Sequence, residues 1–220
     1  MRNSLPLFLI ICLASAAVFT LNGCAGLEGG DPESAFDRGA LLQQWADQTI
    51  VPGYSNWAEH TKTLADVTVL LAAEPTADRV EDAREAFKST YVTWQSVATF
   101  DFGPAADRAH LSTTNTFPVD TVGLMEDVVA VEWTPGTPSS LNRIGLPALD
   151  HLLFAKEDAE GCAQWLNEDV RRGQHLLRLV GFLAEESMAV SSAWGSGYRD
   201  DFVASTGTEL GSGLGATLNA

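Results

Sequence analysis

The chain has 220 residues, with 29 Asp and Glu against 13 Lys and Arg, and a formal net charge of −16 at neutral pH. So acidic a surface argues against a nucleic-acid partner and against electrostatic docking on anionic lipid, while remaining compatible with cations. The hydrophobic fraction of 45% is sufficient for one sizeable core or two small ones.

The first residues read as an address rather than as fold. Arg2 supplies a positive start, Leu5 to Phe19 is an apolar run of signal-peptide length, and Leu21-Asn22-Gly23-Cys24 resembles a lipoprotein cleavage box. The expectation is a signal peptide over residues 1–23 and a lipid on Cys24, tying the protein to a membrane. An uncleaved anchor is the alternative, but the run is short for a span. Cys12 would leave with the signal and Cys24 would carry lipid, so Cys162 has no disulfide partner. The Gly-rich, acidic stretch over residues 24–33 is a tether, and residues 34–220 are the folded domain.

Ser34 is expected to cap a first helix through about Ile50, with Phe36, Leu42 and Trp45 on its apolar side. Pro52-Gly53 should kink or break it. Tyr54, Trp57, Thr61, Leu64 and Leu71 then recur at helical spacing, and Pro75-Thr76 is the next breaker. In the third helix Val80, Ala83, Phe87, Tyr91, Trp94 and Ala98 step by three and four along one face, an aromatic stripe that reads as core. Residues 104–145 are loop-rich, with a short helix near Asp120–Val129. The Val-Val-Ala-Val run at 128–131 has no partner strand of equal quality.

From Arg143 to Phe154 the chain reads Arg-Ile-Gly-Leu-Pro-Ala-Leu-Asp-His-Leu-Leu-Phe. Gly145 is free to take a turn, and Pro147 suits the first turn of a helix. Asp150 and His151 lie inside an apolar run, where a charge must be paired, hydrogen-bonded or neutralised. A His on such a face is more often a packed core residue than a ligand, and an Asp near a helix start is often a capping or dipole partner. Read as a site instead, the stretch makes Asp150 a single-carboxylate contribution to ligand or metal binding. His151 then packs toward the core or bonds a loop, because adjacent helical residues point about 100° apart. Arg143 or a backbone N–H is expected to keep Asp150 ionised.

Asp158 to Glu186 reads as one long helix, with Leu166, Val170, Gly173, Leu177, Val180, Ala184 and Met188 on a single face. Ala193 to Tyr198 breaks it, and a Gly-rich tail follows. The four histidines show no H-x-x-x-H pair and no zinc-type spacing with cysteine. The fold class is therefore all-α, an up-and-down bundle of about four main helices.

The 143–154 stretch resembles the signature region of the imelysin family of bacterial periplasmic and lipid-anchored proteins. That region carries Gly-x-His-x-x-Glu followed by an aromatic residue and two leucines. Gly145, Leu152, Leu153 and Phe154 match it; Pro147 stands where His is usual, Asp150 for Glu and His151 for the aromatic. Gly-Leu-Pro-Ala-Leu-Asp here is closer to a branch with Gly-Leu-Pro-Ala-Leu-Glu. Trp94, Phe102-Gly103-Pro104 and Phe117-Pro118-Val119-Asp120 resemble further family segments in the same order. The Leu-Gly-rich tail is similar to the segment that opens a second helical half in the family. The resemblance implies an imelysin-like helical domain and a cell-envelope lipoprotein, on the periplasmic side of the outer membrane, linked to iron acquisition. It also sets Asp120 opposite Asp150 across a cleft. The ligand would be iron or another divalent cation, an iron chelate, haem or a partner protein. The alternative is a metallopeptidase, for which Pro147 removes the His that the family motif offers.

Overall fold

The computed structural model describes residues 36–218. The signal peptide, Cys24, the tether and the Ser34 cap lie outside them. Every regular element among the described residues is helical, so the fold is all-α. The Val128–Val131 run ends a helix and enters a loop rather than forming a strand.

Helix α1 (Arg38–Trp45) passes through a π turn (Ala46–Ile50) into α2 (Val51–Ala73). The expected interruption at Pro52-Gly53 is absent. Pro52 falls in the first turn of α2, and the turn before it is already widened, with the Val51 N–H reaching back to the Ala46 carbonyl. A π turn moves the backbone off the carbonyl that a proline ring would strike, so the helix continues. Tyr54, Trp57, Thr61, Leu64 and Leu71 are all buried, as their spacing requires, whereas Phe36 is exposed.

Thr76 caps α3 (Ala77–Gln95) by accepting from the Arg79 N–H. Val80, Ala83, Phe87 and Trp94 are buried, but Tyr91 is 39% exposed and stands at the edge of the stripe. Helices α2 and α3 are antiparallel: Trp57 meets Trp94 at 5.3 Å between ring centroids, and the Thr90 hydroxyl donates to the His60 carbonyl.

The long connection that follows holds α4 (Pro104–Asp107), α5 (His110–Asn115), α6 (Thr121–Val129), a 3-10 turn (Leu141–Arg143) and α7 (Gly145–Leu153). The stretch expected as one helix from Asp158 is two, α8 (Ala159–Glu168) and α9 (Val170–Ala193), parted at Asp169. Asp169 is extended, and its carboxylate accepts the Arg171 N–H to start α9 afresh. The break resets the helical phase. The buried residues of α9 are Gly173, His175, Leu176, Leu179, Val180, Leu183, Ser187 and Val190, while Val170 and Met188 are exposed.

Helix α9 runs antiparallel to α2, with Gly173 against Ala72 and the Thr61 and Ser187 hydroxyls 2.6 Å apart. Helix α8 packs on α3, α3 on α2 and α2 on α9, which makes the bundle. A π turn (Trp194–Tyr198) then leads to α10 (Arg199–Ala204) and α11 (Gly213–Leu218). None of the helices among the described residues is long and apolar enough to cross a membrane.

Candidate functional site

The segment that carries Asp150 is positioned from both ends. Upstream, the Asp120 carboxylate caps α6 by accepting the Gly123 N–H at 3.0 Å, and the Asp120 N–H donates to the Asn142 carbonyl at 2.8 Å. Arg143 donates to the Asp127 carboxylate at 3.2 Å and to the Ser139 carbonyl at 3.2 Å. Gly145 then takes φ +72°, and a Cβ there would lie 2.2 Å from the Thr114 carbonyl oxygen. Only glycine suits both that dihedral and that close approach to α5. Downstream, buried Arg84 of α3 donates to the carbonyls of Leu153 (3.0 Å) and Lys156 (2.9 Å), collecting the open end of α7. Its guanidinium also lies 4.8 Å from the centre of the Phe154 ring.

Within α7, helical spacing turns Leu146, Leu149, Leu152 and Leu153 into the core. Pro147, Asp150 and His151 face the other way, into a cleft of about 430 Å³. Its opposite wall is Phe87, Lys88, Tyr91 and Val92 of α3, and Asn115, Phe117 and Val119 close one side. Asp150 is exposed at the cleft mouth and His151 is half-buried. Among the described residues neither side chain takes a hydrogen bond. Desolvation against the apolar walls pushes the Asp150 carboxyl above its ordinary range, and His151 beside it works in the other direction. The site is thus an apolar, aromatic-walled cleft with two unengaged polar groups on one wall, a construction suited to holding a small molecule.

This geometry corrects several expectations. Asp150 is not sunk in the core, because the leucines around it belong to a different face of the helix. Arg143 is not its partner, since that guanidinium is committed to Asp127 and to backbone carbonyls. Asp120 does not line the cleft; its neighbour Val119 does, and the carboxylate is spent on capping α6. Asp150 and His151 do border one cavity together, because the cleft is wide enough to be reached from adjacent helical positions.

Of the cleft residues, Lys88 and Asn115 were not singled out by sequence reasoning, and Phe117 entered only as part of a family-like segment. Lys88 and Tyr91 lie one turn apart on the edge of the α3 stripe, the signal that could have located the wall. Among the described residues, no group of three His, Cys, Asp or Glu side chains is placed to hold a metal ion.

Two other histidines are buried, and neither lines the cleft. The Trp57 indole N–H donates to His110 Nε2 at 3.1 Å, so neutral His110 carries its proton on Nδ1. His175 packs edge-on to Trp133, with ring centroids 5.4 Å apart, and neither of its nitrogens has a partner among the described residues. Burial pulls both imidazoles down to about 4, with Arg178 adding to the effect at His175.

A family model described as Imelysin matches residues 50–220. The chain is similar to Iron-regulated protein A of Synechococcus elongatus, with 25% identity over 197 residues that make up 88% of this chain and 51% of that protein. The chain thus spans about half the length of this curated relative. Two crystal structures share the fold. An imelysin-like protein from Psychrobacter arcticum 273-4 is 19% identical with a TM-score of 0.64, covering 83% of this chain and 57% of its own. An iron-regulated protein A precursor from Parabacteroides distasonis ATCC 8503 is 18% identical with a TM-score of 0.67, covering 87% and 56%.

Proposed function

Because this chain belongs to the imelysin family, we propose that it is a non-enzymatic binding component of iron acquisition at the bacterial cell envelope. Its ligand sits in the cleft beside Asp150 and His151. The observation that carries the reading is the cleft itself, with apolar walls and two polar groups that make no hydrogen bond among the described residues. The curated relative named for iron regulation supplies the direction of the chemistry. Hydrolytic metal chemistry needs about three protein ligands and a general base, and Pro147 stands where the family motif offers a histidine. This favours binding over peptide cleavage for these residues.

The lipid anchor belongs to the same proposal, resting on the apolar run that ends in Gly23-Cys24. Mass spectrometry of the mature N-terminus tests it. Cys24→Ser should leave the protein unlipidated and unprocessed, and an unmodified wild-type N-terminus near residue 24 would dismiss the anchor.

For the site, metal analysis of purified protein is paired with a screen of ferric chelates. Asp150→Ala is expected to weaken binding while destabilising the fold only modestly. A variant that unfolds at ordinary temperature with unchanged ligand binding makes Asp150 a structural residue. Tightly bound zinc with peptidase activity that Asp150→Ala abolishes would put the metallopeptidase reading first.

A further inference from the structure

We propose that residues 130–140 form a strap over α9 that acid releases, with buried His175 as the trigger: protonation of the imidazole lifts Trp133 and bares the face of α9 beneath it. The inference is independent of the cleft beside Asp150.

The strap is held at both roots and at one point between them. Where α6 ends, Arg178 of α9 donates to the Asp127 carbonyl at 3.0 Å. At the other root Arg143 donates to the Ser139 carbonyl and to the Asp127 carboxylate, each at 3.2 Å, which ties the two roots together. Between them the chain has turns but no helix. Its grip on α9 is Trp133, edge-on to His175 at 5.4 Å and to Phe182 at 6.4 Å between centroids, with Gly136 also against Phe182. Val131, Glu132 and Thr134 around Trp133 are exposed. A segment held by so few buried contacts can open without unfolding the bundle.

His175 is fully buried beneath it, and neither ring nitrogen has a partner among the described residues. As a neutral ring it is packing for Trp133. As a cation it would be an unpaired charge in an apolar enclosure, which a fold tolerates poorly. Arg178, one turn further along α9, adds repulsion. The acidic groups nearby are otherwise placed. Asp127 of α6 is bound to Arg143, Glu186 is bound to Arg108, and Glu126 of α6 and Glu132 of the strap are exposed. On α7, Asp150 and His151 face the cleft; on α2, Lys62 and Asp66 pair with each other, and Glu59 and His60 face α3. Glu168 of α8 pairs with Arg172. Helix α9 itself is pinned on α2 through Gly173 and Ser187, so the strap is the side that yields. Pro135, Gly136 and Phe182 also wall a cavity of about 320 Å³ beside Arg108 and Glu186. Lifting the strap joins that cavity to the bared surface of His175.

Burial under the strap holds the imidazole down to about 4, and lifting returns it toward the ordinary 6.5. Opening is therefore indifferent to pH above about 6.5 and gains up to about tenfold per pH unit as pH falls from there toward 4. Asp127, raised by burial, works in the opposite sense, because its protonated form suits the closed state better.

The test is hydrogen exchange of the Trp133 indole N–H in the full chain, followed by NMR and corrected for the intrinsic effect of pH on exchange. That N–H is buried without a partner among the described residues, so its protection reads strap opening. Between pH 7.5 and pH 4.5 the protection should fall by at least about tenfold. It should stay below that of the Trp57 indole, which donates to His110 in the core and reports global unfolding. In His175→Phe the protection of Trp133 should no longer depend on pH, and His175→Leu serves if the first variant does not fold. Three results overturn the proposal: protection of Trp133 that ignores pH in the wild type, the same fall in the His175 variant, or equal protection of Trp133 and Trp57, which would mean that the strap opens only when the bundle unfolds.

Discussion

Trp94 is 2% exposed, faces Trp57 at 5.3 Å and meets His110 edge-on at 5.4 Å. It therefore fills the space between α2, α3 and α5. Trp94→Ala should cost on the order of 3–5 kcal/mol in denaturant melts. A loss below about 1 kcal/mol would mean that the aromatic face is a ligand surface rather than core. Trp94 could be read as core from spacing alone, because a strong helical stripe has only one way to be buried. Asp150 could not. Counting apolar neighbours along the chain made it look sunk, whereas the 100° step between residues puts it on a different face from Leu149 and Leu152. Arg84 shows the converse. It sits on the buried face between Val80 and Phe87, yet nothing in its charge announces that it tethers the carbonyls of Leu153 and Lys156.

Helix ends decide where the side chains of this site point. Helix α6 starts at a carboxylate cap, Asp120, which satisfies the Gly123 N–H. A lost Asp cap costs about 1 kcal/mol. Asp120→Ala should therefore lower stability by about that amount and leave ligand affinity at the Asp150 cleft unchanged. A large loss of affinity with stability intact would return Asp120 to the site. The caps also explain what could be read at this scale. Thr76, expected as part of a breaker, and Asp158, expected as the first residue of a helix, each cap the helix that follows. Asp169 was missed because apolar residues continue on both sides of it. With Leu176 and Leu177 both apolar, two stripes offset by one residue fit the sequence equally well. Gly173 lies on both, and tertiary packing buries the one that runs through Leu176, Leu183 and Ser187, whose hydroxyl meets Thr61 of α2.

At the scale of the whole molecule, the bundle encloses two neutral imidazoles, His110 and His175, in helices that pack against α2 and the 130–140 loop. Helix content and class followed from periodicity, but this enclosure did not, because it depends on how the long connection folds back over α9. It has a consequence for acid stability. Both groups titrate near 4 in the folded chain, against 6.5 as the reference value for an unfolded one. Above about pH 6.5 both states hold the imidazoles neutral, and stability is indifferent to them. As pH falls from about 6.5 toward 4 the unfolded chain takes up protons that the folded chain refuses, so stability drops. Below about 4 the folded chain protonates too, and the loss levels off. Each histidine can account for about 3 kcal/mol at most. Acidification also relieves the mutual repulsion of a chain with net charge −16, and protonation of the raised Asp127 and Asp150 carboxyls acts in the same stabilising direction. The histidine contribution must therefore be isolated by comparing variants at two pH values. His175→Phe replaces an unpartnered imidazole with an apolar ring beside Trp133. Denaturant melts at pH 7.5 and pH 4.5 should show a smaller acid loss in the variant than in the wild type. Equal losses in the two proteins would mean that His175 is not held neutral by its surroundings.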